Sequence, residues 1–322
     1  MKRRDVIAAL AGAVLSPCIA LAQPVHRVRR LGALLGTTQI GIAAFVQRLQ
    51  ELGWTDGQNL RIDYRWADGD VERMRGHAAE LVSLAPDAIV SEATPGLIAL
   101  KQQTRTIPII FAMLADPVGS GLIESLARPG GNITGFTTFE PSMGGKWLEV
   151  MTEIAPEVRR VAVILHPKTP PNVAFLRAIE TAAPSFRIAV KAAGVQEAGD
   201  IEPVVVACAA EPQSGLIVLP HILTVANRDL IVGLAARHRL PTVYPFGHFA
   251  GAGGLITYGI DAADVWRRAA LYVDLVFKGT NPRDLPVQQP IKFELVVNLK
   301  TARALGLTVP RSLLARATEV IE

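Results

Sequence analysis

Strand-like and helix-like segments alternate along this chain of 322 residues and predict an α/β protein: two doubly wound parallel-sheet lobes joined by crossing strands. Three observations carry that expectation. Short, wholly apolar runs such as 88–90 and 161–165 suit strands buried on both faces, as parallel sheets require. The segments between them place apolar residues at helical spacing. The length exceeds what one core comfortably holds, so two units are expected.

The first 22 residues form a separate piece. Lys2, Arg3 and Arg4 make a positive n-region, Val6 to Leu15 is an apolar run too short to span a bilayer, and Ala20-Leu21-Ala22 is an A-x-A cleavage site before Gln23. A signal peptide over residues 1–22 is therefore expected, with a soluble mature chain working in the periplasm. The Arg3-Arg4 pair also suits twin-arginine export.

Val28 to Leu35 then reads as a strand, and Ile42, Phe45, Val46, Leu49 and Leu52 share a helical face that stops at Gly53. Leu60, Ile62, Tyr64 and Trp66 alternate with polar residues as in a strand. Val71 to Val82 is helical; 88–90 and 107–112 are buried strands. A second set begins after the strand 133–138. Its strands are 161–165, 188–190, 215–219 and 242–244, with helices near 173–183, 201–210 and 225–238. A strand at 255–258, a helix through Val265, Trp266 and Phe277, and a strand at 293–297 follow. Asn281 to Pro290, with three prolines and no periodicity, reads as an extended crossing segment. The expected lobes are 23–137 plus 255–285, and 138–254 plus 286–322.

The signal takes with it three of 33 basic and one of 29 acidic residues, leaving a net charge near +2. That balance points to neither nucleic acid nor an anionic membrane. Cys18 leaves with the signal, and Cys208 shares a helical face with Ile201, Val204 and Val205, so a buried, inert thiol is expected.

Open parallel sheets bind ligands at the carboxyl ends of their strands, where helix N-termini present free N–H groups. Thr94-Pro95 and Asp116-Pro117 each read as an N-cap followed by proline at the first helical position, and Gly36-Thr37-Thr38-Gln39 adds hydroxyls and open backbone. Taken singly each is an ordinary cap; together on one rim they suit a carboxylate. In the second unit, 166–172, 219–221 and 244–248 mix polar groups with an aromatic. The candidate ligand residues are Thr37, Thr38, Gln39, Ala93, Thr94, Asp116, Thr138, Thr169, Asn172, His221, Phe246 and Tyr258. Asp261 is read as the cap of the helix that follows it, and His248 as a structural residue. No catalytic residue, cofactor or metal is expected.

Ser91-Glu92-Ala93-Thr94-Pro95, Ile107-Pro108-Ile109-Ile110-Phe111 leading to Asp116-Pro117-Val118-Gly119, Pro129-Gly130-Gly131-Asn132-Ile133-Thr134-Gly135 and Phe293-Glu294-Leu295 resemble the substrate-binding proteins of an ABC importer family of tryptophan and tyrosine type. The resemblance covers essentially the whole mature chain. It implies a type I periplasmic-binding fold with three crossings, near Thr137, Gly254 and Pro286, and one small carboxylate-bearing ligand, aromatic or amino-acid-like, held in an interlobe cleft by hinge closure. It implies a membrane permease and its ATPase as partners, and a monomer. In family members that bind aromatic amino acids, the loop after the strand corresponding to 215–219 carries an acidic group. Here that loop reads Pro220-His221-Ile222-Leu223, which leaves an amino-acid ligand open to question.

Other classes lack their motifs. A secreted oxidoreductase needs G-x-G-x-x-G after its first strand, but Gly32, Gly36 and Gly41 are wrongly spaced. No G-x-S-x-G elbow or zinc-ligand spacing occurs. A periplasmic sensor that docks on a receptor shares all these features and stays an alternative.

Overall fold

The structure, a computed structural model, describes residues 27–36 and 41–322. The expected signal peptide and the candidate residues Thr37, Thr38 and Gln39 lie outside them. The first lobe runs β1 (Arg29–Leu35), α1 (Ile42–Glu51), β2 (Leu60–Trp66), α2 (Val71–Ser83), β3 (Ala88–Glu92), α3 (Ala93–Gln103), β4 (Ile109–Leu114) and β5 (Ile133–Thr137). Its five strands are all parallel, in the order β2-β1-β3-β4-β5. The central strands β3 and β4 are buried on both faces, which is why their sequences are apolar without alternation. Asp70 starts α2 by accepting from the Glu72 and Arg73 amides, as an N-cap should.

The chain then crosses into a second lobe. It continues as α4 (Met143–Ile154), β6 (Arg160–Leu165), α5 (Pro170–Phe186), β7 (Ala189–Gly194), α6 (Ile201–Ala209), β8 (Ser214–Val218), α7 (Ile222–Ala226), α8 (Arg228–Arg237), β9 (Thr242–Tyr244), α9 (Gly247–Gly251) and β10 (Ile256–Ile260). Helix α10 (Ala262–Phe277) returns to the first lobe, and β11 (Phe293–Asn298), α11 (Leu299–Leu305), α12 (Arg311–Arg316) and β12 (Glu319–Ile321) finish the second. The second sheet has the order β12-β11-β10-β9-β8-β6-β7. Cys208 is buried in α6, where its thiol reaches the Gly215 carbonyl and burial raises its pKa.

Two features differ from the sequence expectation. The strand after Gly254 extends the second sheet, parallel to β9, so the chain leaves that lobe at Asp261 and not at Gly254. Apolar periodicity identifies a strand but not the sheet it joins. Asp261 caps α10 by accepting from the Asp264 amide at 2.9 Å. The second sheet is also mixed, because β11 runs antiparallel to β10; a strand arriving from the opposite lobe enters from the far end.

Helix α10 is held in the first lobe by named contacts. Trp54 Nε1 donates to Asp274 at 2.9 Å, Arg29 donates to the Phe277 carbonyl at 2.7 Å, and Phe45 packs edge-on against Trp266 at 5.6 Å. The third crossing lies alongside β5: the Gln288 amide donates to the Gly135 carbonyl, the Thr137 amide donates to the Gln288 carbonyl, and the Thr134 hydroxyl donates to the Leu285 carbonyl at 2.7 Å. The first crossing is braced by Phe139, whose ring contacts Trp147 at 5.6 Å and Phe246 at 5.5 Å.

Gly135 permits the close pairing of β5 with β4: a Cβ there would lie 2.1 Å from the Phe111 carbonyl oxygen, at a φ of +153°. Gly135→Ala should therefore lower stability by about 3 kcal/mol or more, read as a reduced urea midpoint. A loss under about 1 kcal/mol would reject this account of the β4–β5 pairing.

Candidate functional site

The two sheets point the carboxyl ends of their parallel strands at each other, and a cavity lies between them. From the first lobe come Glu92 at the end of β3, Ala93, Thr94 and Pro95 opening α3, Met113 near the end of β4 and Ala115 just after it. The second lobe contributes Thr169, Pro171 and Asn172 after β6, Pro220, His221, Ile222 and Val225 after β8, and Phe246 and His248 after β9. Thr138 of the first crossing completes the wall. The unfilled space, counted to its open mouth, is about 680 Å³. Among the described lining residues Glu92 is the one carboxylate, and there is no lysine or arginine.

The first-lobe wall is bent to this shape at a conformational cost. Ala93 (φ 63°), Met113 (φ 59°) and Asp116 (φ 41°) all occupy the left-handed region that non-glycine residues avoid. Such residues cost about 1–3 kcal/mol each and gather where a site needs a particular backbone course. Here they turn the chain at the ends of β3 and β4.

Of the candidate residues within the described chain, seven line the cavity: Ala93, Thr94, Thr138, Thr169, Asn172, His221 and Phe246. Asp116 does not. Its carboxylate accepts from the Gly119 amide at 2.9 Å, closing a turn where a helix was expected, and its side chain lies toward Phe139 and Glu140. Tyr258 also lies elsewhere, stacked on Phe293 under Lys146, because β10 belongs to the second sheet and turns that residue away. Thr94 lines the cavity but is not a cap: α3 starts two residues earlier than expected, at Ala93 after Glu92, which puts Thr94 in the first turn.

Several polar side chains at the second-lobe wall are engaged by the protein itself. Asn172 Oδ1 accepts from the His166 amide at 2.9 Å, and its Nδ2 donates to the Pro220 carbonyl at 3.0 Å, tying two loops together. The rings of His166 and His221 stack at 4.4 Å, 7° from parallel. The Leu223 amide donates to His221 Nδ1 at 3.1 Å, which puts the ring proton on Nε2. That N–H then meets Thr169 Oγ1 at 3.2 Å, and the threonine hydroxyl donates to His166 Nδ1 at 2.8 Å. His221 thus offers the cavity a ring face and no hydrogen bond. Burial, then the neighbouring His166, pushes its pKa down to about 3; burial and Lys168 lower that of His166.

Sequence reasoning missed Glu92, Met113 and His248 in the wall. Glu92 closes β3 immediately before the candidate Ala93, so its position was the available signal; its Oε2 accepts from the Gly36 amide at 2.8 Å. His248 lies in the loop 244–248 that the sequence marks, but α9 is a single short turn whose direction the sequence does not reveal, so the ring reads there as structural. Burial depresses the His248 pKa to about 4.

Two lobes, one with a parallel sheet and one with a mainly parallel sheet, three crossings and a ligand-sized cavity between the strand ends define a bilobal solute-binding protein of the type I periplasmic-binding fold. The family model described as ABC transporter substrate binding protein matches residues 38–321, and the chain belongs to that family. A tyrosine-binding protein of Clostridioides difficile (strain R20291) is 25% identical over 263 residues, 82% of this chain and 75% of that one. The crystal structure of a conserved domain protein from Vibrio cholerae O1 biovar eltor is 27% identical with a TM-score of 0.85, covering 91% of this chain and all of that one. A Streptococcus pneumonia ABC domain in complex with L-Trp superimposes with a TM-score of 0.83 at 24% identity, over 91% and 99% of the two chains.

The buried histidines set an acid limit on stability. With native pKa values near 3 for His221 and 4 for His248, against 6.5 in the unfolded chain, only the unfolded chain takes up these protons as pH falls below 6.5. Their contribution is complete above pH 6.5 and is lost progressively below it. The melting temperature should fall between pH 6.5 and 4.5, and proton NMR should find two histidine rings that do not titrate above pH 5. Ordinary titration of every ring near 6.5 would refute the neutral relay.

Proposed function

We propose that this protein is the periplasmic solute-binding component of an ABC importer, exported by its N-terminal segment, and that it captures an aromatic amino acid between its lobes for delivery to a membrane permease. The family supplies the class; the observation that supports the ligand is the composition of one wall. Glu92 and the first turn of α3 stand side by side at the cavity. A helix N-terminus leaves its first amides without intrahelical acceptors and carries a partial positive charge, which suits an α-carboxylate, and Thr94 adds a hydroxyl donor. A carboxylate accepts several hydrogen bonds, so Glu92 suits the adjacent α-ammonium. The acid missing from the Pro220-His221-Ile222-Leu223 loop is in this reading supplied by the other lobe. Met113, Ile222, Val225 and Phe246 offer the apolar surface that a large side chain needs. Tyrosine and tryptophan binding by the relatives agrees with this reading.

Calorimetric titration with tyrosine and tryptophan tests it. Thr94→Val should weaken both by roughly tenfold through the lost hydroxyl, while their uncharged amides lose less. Glu92→Gln should erase the preference for each amino acid over its deaminated acid. An unchanged preference would sink the ammonium role of Glu92, and an acid that binds as well as the amino acid would replace the ligand class.

Capture requires the lobes to close, and the cleft mouth supports this. A methyl on Gly36 would lie 2.6 Å from Ile222 Cγ2, and one on Gly69 would lie 2.7 Å from the Ala226 methyl. Both glycines are in the first lobe and both partners are in α7 of the second. Gly36→Ala should hold the lobes apart, so that small-angle scattering with saturating ligand shows less compaction than wild type and affinity falls. Gly36→Ala with Ile222→Ala should restore the compaction, while affinity stays reduced because Ile222 also lines the cavity. Full compaction in the single variant would reject the contact as part of closure.

A further inference from the structure

Among the buried side-chain polar atoms, His248 Nε2 has no hydrogen-bond partner. The ring lines the interlobe cavity, at the start of α9. It is fixed there by aromatic neighbours: Phe246 stacks on it at 5.6 Å and 16° from parallel, and Phe249 lies at 4.8 Å on the tilt. The nearby charged groups do not engage that nitrogen, because Arg228 and Asp229 pair with each other at 2.8 Å. Buried polar groups are nearly always hydrogen-bonded, and an orphan one costs free energy that a site recovers only when its ligand arrives. The second lobe's other histidine at the wall, His221, has both ring nitrogens occupied, as does the Asn172 amide on both its atoms. His248 is thus the second-lobe wall group that keeps an unused hydrogen-bonding atom.

We propose that His248 is the specificity determinant of the site, and that its Nε2 takes the side-chain hydroxyl of a phenolic amino acid whose α-carbon groups lie against the first-lobe wall. This rests on the amino-acid reading of Glu92 and α3 given above. A hydroxyl both donates and accepts, so it satisfies a neutral imidazole in either tautomer. An unsubstituted phenyl ring leaves the nitrogen desolvated and unpaired. Sites that hold a hydroxyl in this way discriminate far more strongly than sites that merely fit a shape. The ring stack of Phe246 and His248 also gives the ligand's ring a surface, which couples the hydroxyl's position to the ring's plane.

His248→Phe keeps the ring and its stacking and removes the nitrogen. Calorimetry on wild type should show tyrosine binding at least about tenfold more tightly than phenylalanine, and the variant should reduce that ratio to near one by weakening tyrosine alone. A ratio equal in wild type and variant overturns the proposal, as does equal weakening of both amino acids. A measurement without ligand separates a binding role from a structural one. Removing an orphan buried nitrogen should raise the melting temperature of the ligand-free protein, whereas a lower one would mark His248 as structural and overturn the proposal. If wild type binds neither amino acid, the amino-acid reading of the whole site fails, and the His248 proposal falls with it.

Discussion

Parallel strand pairing is the constraint on which everything else in this molecule depends. A parallel sheet needs a crossover for every pair, and each crossover here brings the chain back so that the strands end at the same edge. That edge therefore collects all the turns that follow strands and the N-termini of the helices they lead into. Two such edges face one another, and the cavity is the space between them. Strand β11 departs from the pattern by running antiparallel beside β10, well away from β8 and β6, whose ends build the wall.

The link between the lobes is made of ordinary pairings placed at the crossings. Gln288 lies along β5 by backbone hydrogen bonds, Thr134 reaches the Leu285 carbonyl, and Phe139 is held among Trp147, Phe175 and Phe246. The crossings are thus anchored in both cores, and Phe246 belongs to the brace and to the cavity wall together. At the opposite side of the cleft the contact is between small groups. Gly36 and Gly69 allow backbone to approach Ile222 and Ala226 where any side chain would intervene.

Polar groups in the cavity divide into those that shape it and those left to act. The relay from the Leu223 amide through His221 and Thr169 to His166, and the two bonds of Asn172, consume the second lobe's obvious candidates and lock its loops. The opening turn of α3 with Thr94 and the Nε2 of His248 stand outside that network, and Glu92 holds the Gly36 amide at the same wall. The described lining of the cavity holds no lysine or arginine, and Glu92 is its one carboxylate.

The sequence by itself determined the layered α/β architecture, because buried strands and amphipathic helices leave periodic apolar patterns that depend only on neighbours along the chain. It also marked the loops after β1, β3, β4, β6, β8 and β9 as candidate binding loops, since strand carboxyl ends are the binding edge of any parallel sheet. Only the tertiary structure decided which sheet a strand joins, and so β10 went to the second lobe and carried Tyr258 away from the cleft. It likewise decided which polar side chains were already spoken for. Asp116 was lost to a local turn, and His221 to hydrogen bonds with Leu223 and Thr169, while Glu92 and His248 gained a place through the backbone turns around them. Hydrogen-bond capacity is shared among groups distant in sequence, so what a side chain has left for a ligand is a property of the folded neighbourhood.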